Sequence, residues 1–215
     1  PAAAPPQTTA SNQADALRMA ARTSPTRDAT EVSFFTQDHP GLFARMAGAF
    51  ALVGASVMDA RAFTTRDGMA VNTFWVRDSE GGPYEDPDRL NETMRRVLGG
   101  EITPRDALKS RRKLRPRERP FEVTPSVSFD NDASDLLTMI EVNCRDRVGL
   151  LHDLARSLAN EHVNIVSAII ATYGEHVVDV FYVKDLFGMK ITAQSKRARI
   201  ERALLSAIDK AAPPS

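Results

Sequence analysis

This sequence predicts an α+β protein built from two tandem copies of one β-α-β-β-α unit, and three observations carry that expectation. A long stretch repeats itself: Asp38-His39-Pro40-Gly41-Leu42 returns as Asp146-Arg147-Val148-Gly149-Leu150, an offset of 108 positions, and self-similarity at fixed spacing marks a repeated structural unit. At that offset Ala47 meets Ala155, Ala60 meets Ala168 and Thr64 meets Thr172; after one deletion near Asp67, residues 72–78 meet residues 179–185. Within each copy the apolar spacing changes from strand-like to helical and back. The composition, 42% hydrophobic and 26% charged over 215 residues, is that of an ordinary globular protein with room for one or two domains.

Residues 32–37, and 136–143 in the second copy, carry β-branched and aromatic side chains at strand density. Past the glycine, Leu42, Met46, Ala49, Phe50 and Val53 recur at helical spacing, as do Leu150, Leu154, Leu158 and Ala159. Pro40 suits a first helical turn. Residues 56–65 and 69–77 read as a hairpin turning at Arg66-Asp67-Gly68, repeated by residues 164–173 and 176–184 about Gly174-Glu175. A second helix follows in each copy, with Leu90, Met94, Val97 and Leu98, then Ile200, Leu204, Ala207 and Ile208. Phe121, Val123, Val127 and Phe129 alternate with polar residues and are expected to close copy one, with Pro125 at an edge or bulge. Copy two runs from its last helix into a Pro-containing tail, so its sheet is expected to lack a strand or to borrow one. The expected organisation is a linker over residues 1–29, with a short helical pattern around Leu17, and a first domain over 30–130 that contains a basic linker at 109–120. A second domain over 135–210 and a tail over 211–215 complete it.

A β-α-β-β-α-β unit with an Asp-x-x-Gly-Leu turn between its first strand and first helix resembles the ACT domain, a ferredoxin-like amino-acid-sensing module in which tandem copies are common. More specifically, residues 38–43, 54–61, 67–70 and above all 170–188 resemble the C-terminal end of the bacterial PII protein uridylyltransferase and uridylyl-removing enzyme family. The resemblance implies two ferredoxin-like ACT domains that sense glutamine and so regulate nitrogen metabolism. It also implies nucleotidyltransferase and HD-type domains upstream, with magnesium used there, and a PII protein partner reached through them. Neither catalytic domain lies in this chain. The sequence opens at Pro1 without a methionine, as expected of a piece of something longer. A ligand-free dimerisation or interaction module of the same fold is the alternative reading.

The turn has a physical case of its own. A helix N-terminus offers unpaired N–H groups and partial positive charge to a carboxylate. Gly41 and Gly149 permit close approach, while Asp38 and Asp146 can cap their helices or accept from an α-ammonium. Residue types alone leave both a ligand site and a simple capped turn open. In ACT domains the ligand lies between two modules, held by this turn from one and by the start of the second strand from the other, here Ser56 and Asn164. The expected ligand-binding residues are therefore Asp38, His39, Gly41, Leu42, Ser56, Asp146, Arg147, Gly149, Leu150 and Asn164. Asn164, whose amide both donates and accepts, favours a site in copy two or one shared with the copy-one turn.

Catalytic and metal readings find little support. His152-Asp153 lies on an amphipathic helical pattern with no further ligand at a fitting distance, and the other histidines are His39, His162 and His176. Asp130-Asn131-Asp132 reads as a polar linker. No phosphate-binding loop, dinucleotide fingerprint or nucleophile elbow occurs, so no catalytic residue and no cofactor are expected in this chain. Cys144, the single cysteine, excludes an internal disulfide, fits a reducing cytoplasm and reads as a structural thiol. Residues 111–120 hold six basic side chains against one acidic, yet the whole chain is neutral. Without interleaved aromatics this run reads as a solvated linker, and neither nucleic acid nor membrane is expected as a partner. A homo-oligomer would satisfy any bare sheet edge.

Overall fold

In the computed structural model, which describes residues 17–112 and 123–209, the repeat becomes two modules of like build. The first contributes β1 (Arg18–Ser24), β2 (Ala29–Gln37), α1 (Leu42–Val53), β3 (Ser56–Thr64), β4 (Met69–Arg77), α2 (Pro87–Leu98) and α3 (Pro104–Arg112). The second contributes β5 (Ser126–Asp130), β6 (Thr138–Arg145), α4 (Leu150–Asn160), β7 (Val163–Tyr173), β8 (His176–Asp185) and α5 (Gln194–Asp209). All eight strands join in one antiparallel sheet, in the order β1-β2-β4-β3-β7-β8-β6-β5. The tandem ferredoxin-like α+β architecture expected from the sequence is the one observed.

Alternation places one face of the sheet under the helices. Thr138, Ile140, Val142 and Cys144 on β6 are buried, as are Val177, Asp179, Phe181 and Val183 on β8, with half-buried residues between them. In module one Phe34 of β2 meets Phe50 of α1 and Phe74 of β4 edge-on at centroid distances of 6.0 and 6.1 Å. Each of these fully buried rings contributes about 1.5–3 kcal/mol. α2 starts where Asp86 accepts from the Arg89 N–H at 3.0 Å ahead of Pro87, and α1 stops at Gly54, whose φ is 81°. On the opposite face Trp75 lies beneath the Arg27 guanidinium, 4.3 Å from the ring centroid, and Arg27 pairs with Asp59 at 2.5 Å.

Two strands differ from expectation. Residues 18–24, read as part of a linker with a helical pattern, form β1, all seven pairing with β2. Its sequence, Arg-Met-Ala-Ala-Arg-Thr-Ser, is mostly exposed, so no alternating apolar signal marks it; backbone pairing at the β2 edge overrides the helical preference of alanine. The strand at residues 126–130 does not close copy one. It pairs with β6, Val127 opposite Val142 and Phe129 opposite Ile140, and so belongs to the second module. The reason is local: Asp130 Oδ1 accepts from the Asp132 and Ala133 N–H groups and Ser134 Oγ from the Leu137 N–H, folding the short connection back on itself, while the β2 edge is already filled by β1. Each module therefore takes its edge strand from the segment that precedes it, reading ββαββα, and copy two's strand is borrowed from upstream. Pro125 stands just ahead of this edge strand. α3 is a further difference: residues 109–112, expected to open the basic linker, form its C-terminal end. The N-terminal residues 1–16, the basic stretch 113–120, Phe121 and the tail lie outside the described residues.

Candidate functional site: the seam between the modules

The modules meet where β3 runs antiparallel to β7, with Ala60 opposite Ala168, Asp59 opposite Ile169 and Arg61 opposite Ser167. Ala60 and Ala168 are also repeat-equivalent, so the seam carries a pseudo-twofold axis between them. Both are fully buried, and their small side chains let α1 and α4 lie over the junction. There His152 Nδ1 lies 2.7 Å from the Ala44 carbonyl oxygen, and residues 44 and 152 are again equivalent. The His152-Asp153 pair thus serves packing: His152 joins the helices and Asp153 pairs with Arg147 at 2.8 Å.

At each end of the seam stands one Asp-x-x-Gly-Leu turn. Gly41 and Gly149 adopt φ of 81° and 77°, left-handed conformations that favour glycine, and each begins a helix. Each turn is tied to the tip of its own module's hairpin: Asp38 N–H donates to Gly68 O at 2.9 Å and Asp146 N–H to Glu175 O at 2.7 Å. Asp38 spends one oxygen on the Thr64 hydroxyl at 2.6 Å, and Asp146 Oδ1 accepts from the Arg147 N–H at 2.7 Å. Leu42 and Leu150 are buried beneath their turns.

Because the seam is antiparallel, the start of β7 runs toward the end of β3. Asn164, exposed, therefore lies at the end of the seam that holds Thr64 and the module-one turn. Ser56, also exposed, lies at the opposite end, toward Thr172 and the module-two turn. The arrangement groups the ten expected residues into two sets: Asp38, His39, Gly41 and Leu42 with Asn164, and Asp146, Arg147, Gly149 and Leu150 with Ser56. The sets are not equivalent. Arg147 reaches inward to the Ala207 carbonyl at 2.9 Å and to Asp153, fastening α5 and α4. His39 keeps Nδ1 3.0 Å from Pro40 O, and its Nε2 is buried without a hydrogen-bond partner.

Two residues absent from the expected set bear on these turns, Thr64 through its bond to Asp38 and Asp179 through the charge of Asp146; the repeat matches them to Thr172 and Asn72. Asp179, 1% exposed, faces the helices; burial first, and the Asp146 carboxylate second, lift its carboxyl to about 8. Burial, with Asp179 adding, pushes the Cys144 thiol up to about 12, the behaviour of a structural thiol. Asp130 and Asn131 are occupied by turn and side-chain bonds, Asn131 Oδ1 accepting from Thr138 at 2.6 Å. Among the described residues no group of three or more His, Cys, Asp or Glu side chains converges to hold a metal ion. Among the same residues no helix is long and apolar enough to cross a membrane.

Two ferredoxin-like modules joined through β3 and β7, with an Asp-x-x-Gly-Leu turn at each end of the seam, define a tandem ACT-type fold. Residues 133–210 match the model of the ACR family N-terminal ACT domain. The second module is thus an ACT domain, and the chain as a whole is similar to part of the bifunctional uridylyltransferase/uridylyl-removing enzymes. It is 53% identical over 188 residues to the enzyme of Ruegeria pomeroyi, covering 86% of this chain and 21% of that one. With the enzyme of Cereibacter sphaeroides it shares 52% over 184 residues, 85% and 20% of the two chains. The chain thus spans about a fifth of the length of these relatives. Among solved structures, aspartate kinase from Synechocystis superposes with a TM-score of 0.44 at 19% identity, over 83% of this chain and 27% of that one.

Proposed function

We propose that this chain is the amino-acid-sensing region of a uridylyltransferase/uridylyl-removing enzyme, with glutamine as its ligand and a PII protein as the partner reached through catalytic domains outside this chain. The observation that carries the reading is the seam, which sets the uncovered Gly41 turn at a helix N-terminus beside the exposed start of β7 from the opposite module. The helix-end N–H groups suit an α-carboxylate, the turn aspartates an α-ammonium, and the Asn164 amide the side-chain amide or backbone frame of the ligand. Glutamine is preferred over glutamate, because a second carboxylate would face Asp38 or Asp146. The reading places the parent in the cytoplasm, leaves magnesium to its catalytic domains, and gives this chain no membrane or nucleic-acid partner.

Calorimetry of the chain against the twenty amino acids tests this. Heat with glutamine, weaker heat with glutamate, and a loss of about 1.5–3 kcal/mol on Asp146→Ala are expected. A second reading, a ligand-free interaction module, draws on the fact that the two sheets already pair within one chain; absence of heat with every amino acid would decide for it.

A further inference from the structure

Asp179 is the side chain that most sharply separates the two modules. It sits on β8 between Val142 of β6 and Ile170 of β7, and two residues away Val177 pairs with Cys144, from which β6 runs into the turn at Asp146. Its module-one counterpart Asn72 donates to Met46 Sδ in the first half of α1 at 3.4 Å; by the repeat, Asp179 lies under the first half of α4. Asn72 has a partner, whereas Asp179 Oδ1 is buried and has none. The groups around Asp179 explain why no cation answers it. On the β6 side stand the Cys144 thiol and Asp146; Arg147 is engaged with Asp153 and the Ala207 carbonyl of α5; His152 of α4 is turned to Ala44; β7 offers Ile170. A buried carboxyl with an unbonded oxygen and an anionic neighbour favours its neutral form, and a cation arriving nearby would favour the ionised one.

We propose that the second module binds the ammonium group of its ligand with release of a proton: Asp179, buried on β8 under the first half of α4, is protonated in the ligand-free protein and ionises when a cation settles on the Asp146–Gly149 turn. The O–H bond of the carboxyl breaks, the proton passes to solvent, and the carboxylate is balanced by the ammonium charge. Module one, with an amide in the same place, binds without proton exchange. This rests on the reading of the seam as an amino-acid site.

The test is calorimetry of the 215-residue chain with L-glutamine between pH 6 and 9, in buffers of different ionisation enthalpy. The wild type is expected to release up to about one proton near neutral pH and to bind more tightly as pH rises toward 8, by at most roughly tenfold per unit. Asp179→Asn, isosteric and already the residue used at the equivalent position, is expected to bind with no proton release and a flat pH profile. Carbon-13 carboxyl shifts of the wild type give a reading independent of any variant: Asp179 should pass from carboxylic acid to carboxylate when glutamine is added at pH 7. Binding heat without proton exchange, an Asp179 resonance indifferent to glutamine, or unchanged proton release in a folded Asp179→Asn protein overturns the proposal alone. No heat at any pH overturns the seam reading and the proposal with it.

Discussion

Gly41 combines a φ of 81° with open space, since a Cβ built there meets no atom within 4 Å. Backbone strain and ligand exclusion can therefore be separated. Asparagine tolerates the left-handed conformation better than any other residue with a Cβ, so Gly41→Asn should cost stability less than about 1 kcal/mol in urea unfolding while placing a side chain where a carboxylate would approach the α1 N-terminus. Weakened glutamine binding at retained stability is the expected outcome; unchanged binding would remove the module-one turn from the site. The glycine-and-aspartate pattern of both turns was legible in the sequence because such turns depend on residue type. Asp179 was not, because its meaning depends on burial and on a missing partner, neither of which a lone aspartate in an apolar strand discloses.

Helix α1 is packed on two sides at one residue. A Cβ on Gly48 would lie 2.5 Å from Pro104 Cβ of α3 and 2.9 Å from His152 Nδ1 of α4. Gly48→Ala would ordinarily gain about 1 kcal/mol of helix propensity. Here overpacking should win by about 1–3 kcal/mol, lowering the urea midpoint and disturbing the His152–Ala44 contact. Loops give the opposite expectation. Asp78 and Asp185 fold matching turns, each accepting two backbone N–H groups, from Glu80 and Gly82 or from Phe187 and Met189. The Met189 N–H, with Phe187 assisting, holds the Asp185 carboxyl below its ordinary range. Phe187 is 89% exposed on this scaffold, so Phe187→Glu, the residue at the matching place in module one, should change stability by no more than about 0.5 kcal/mol. The helices and hairpins of both modules could be read from periodicity, since each buries one regular face. β1 could not, because an edge strand held by backbone bonds leaves no apolar period, and the place of β5 was decided by turn bonds at Asp130 and Ser134 that alternation does not encode.

Across the whole molecule, the repeat becomes a pseudo-twofold sheet whose centre is the Ala60–Ala168 pair. Ala168→Glu would bury a charge at that centre, a change on the order of 3 kcal/mol or more, and should uncouple the modules. The parent chain is expected to unfold in a single urea transition, and the variant in two. Pairing of β3 with β7 also sets which residues share a site, because it carries Asn164 to the module-one turn and Ser56 to the module-two turn. That grouping is most directly tested by amide chemical-shift mapping of the chain during titration with glutamine. Shifts concentrated on Gly41, Leu42 and Asn164, and on Gly149, Leu150 and Ser56, are the predicted result. Shifts confined to residues away from the seam, or none at saturating glutamine, would contradict the account.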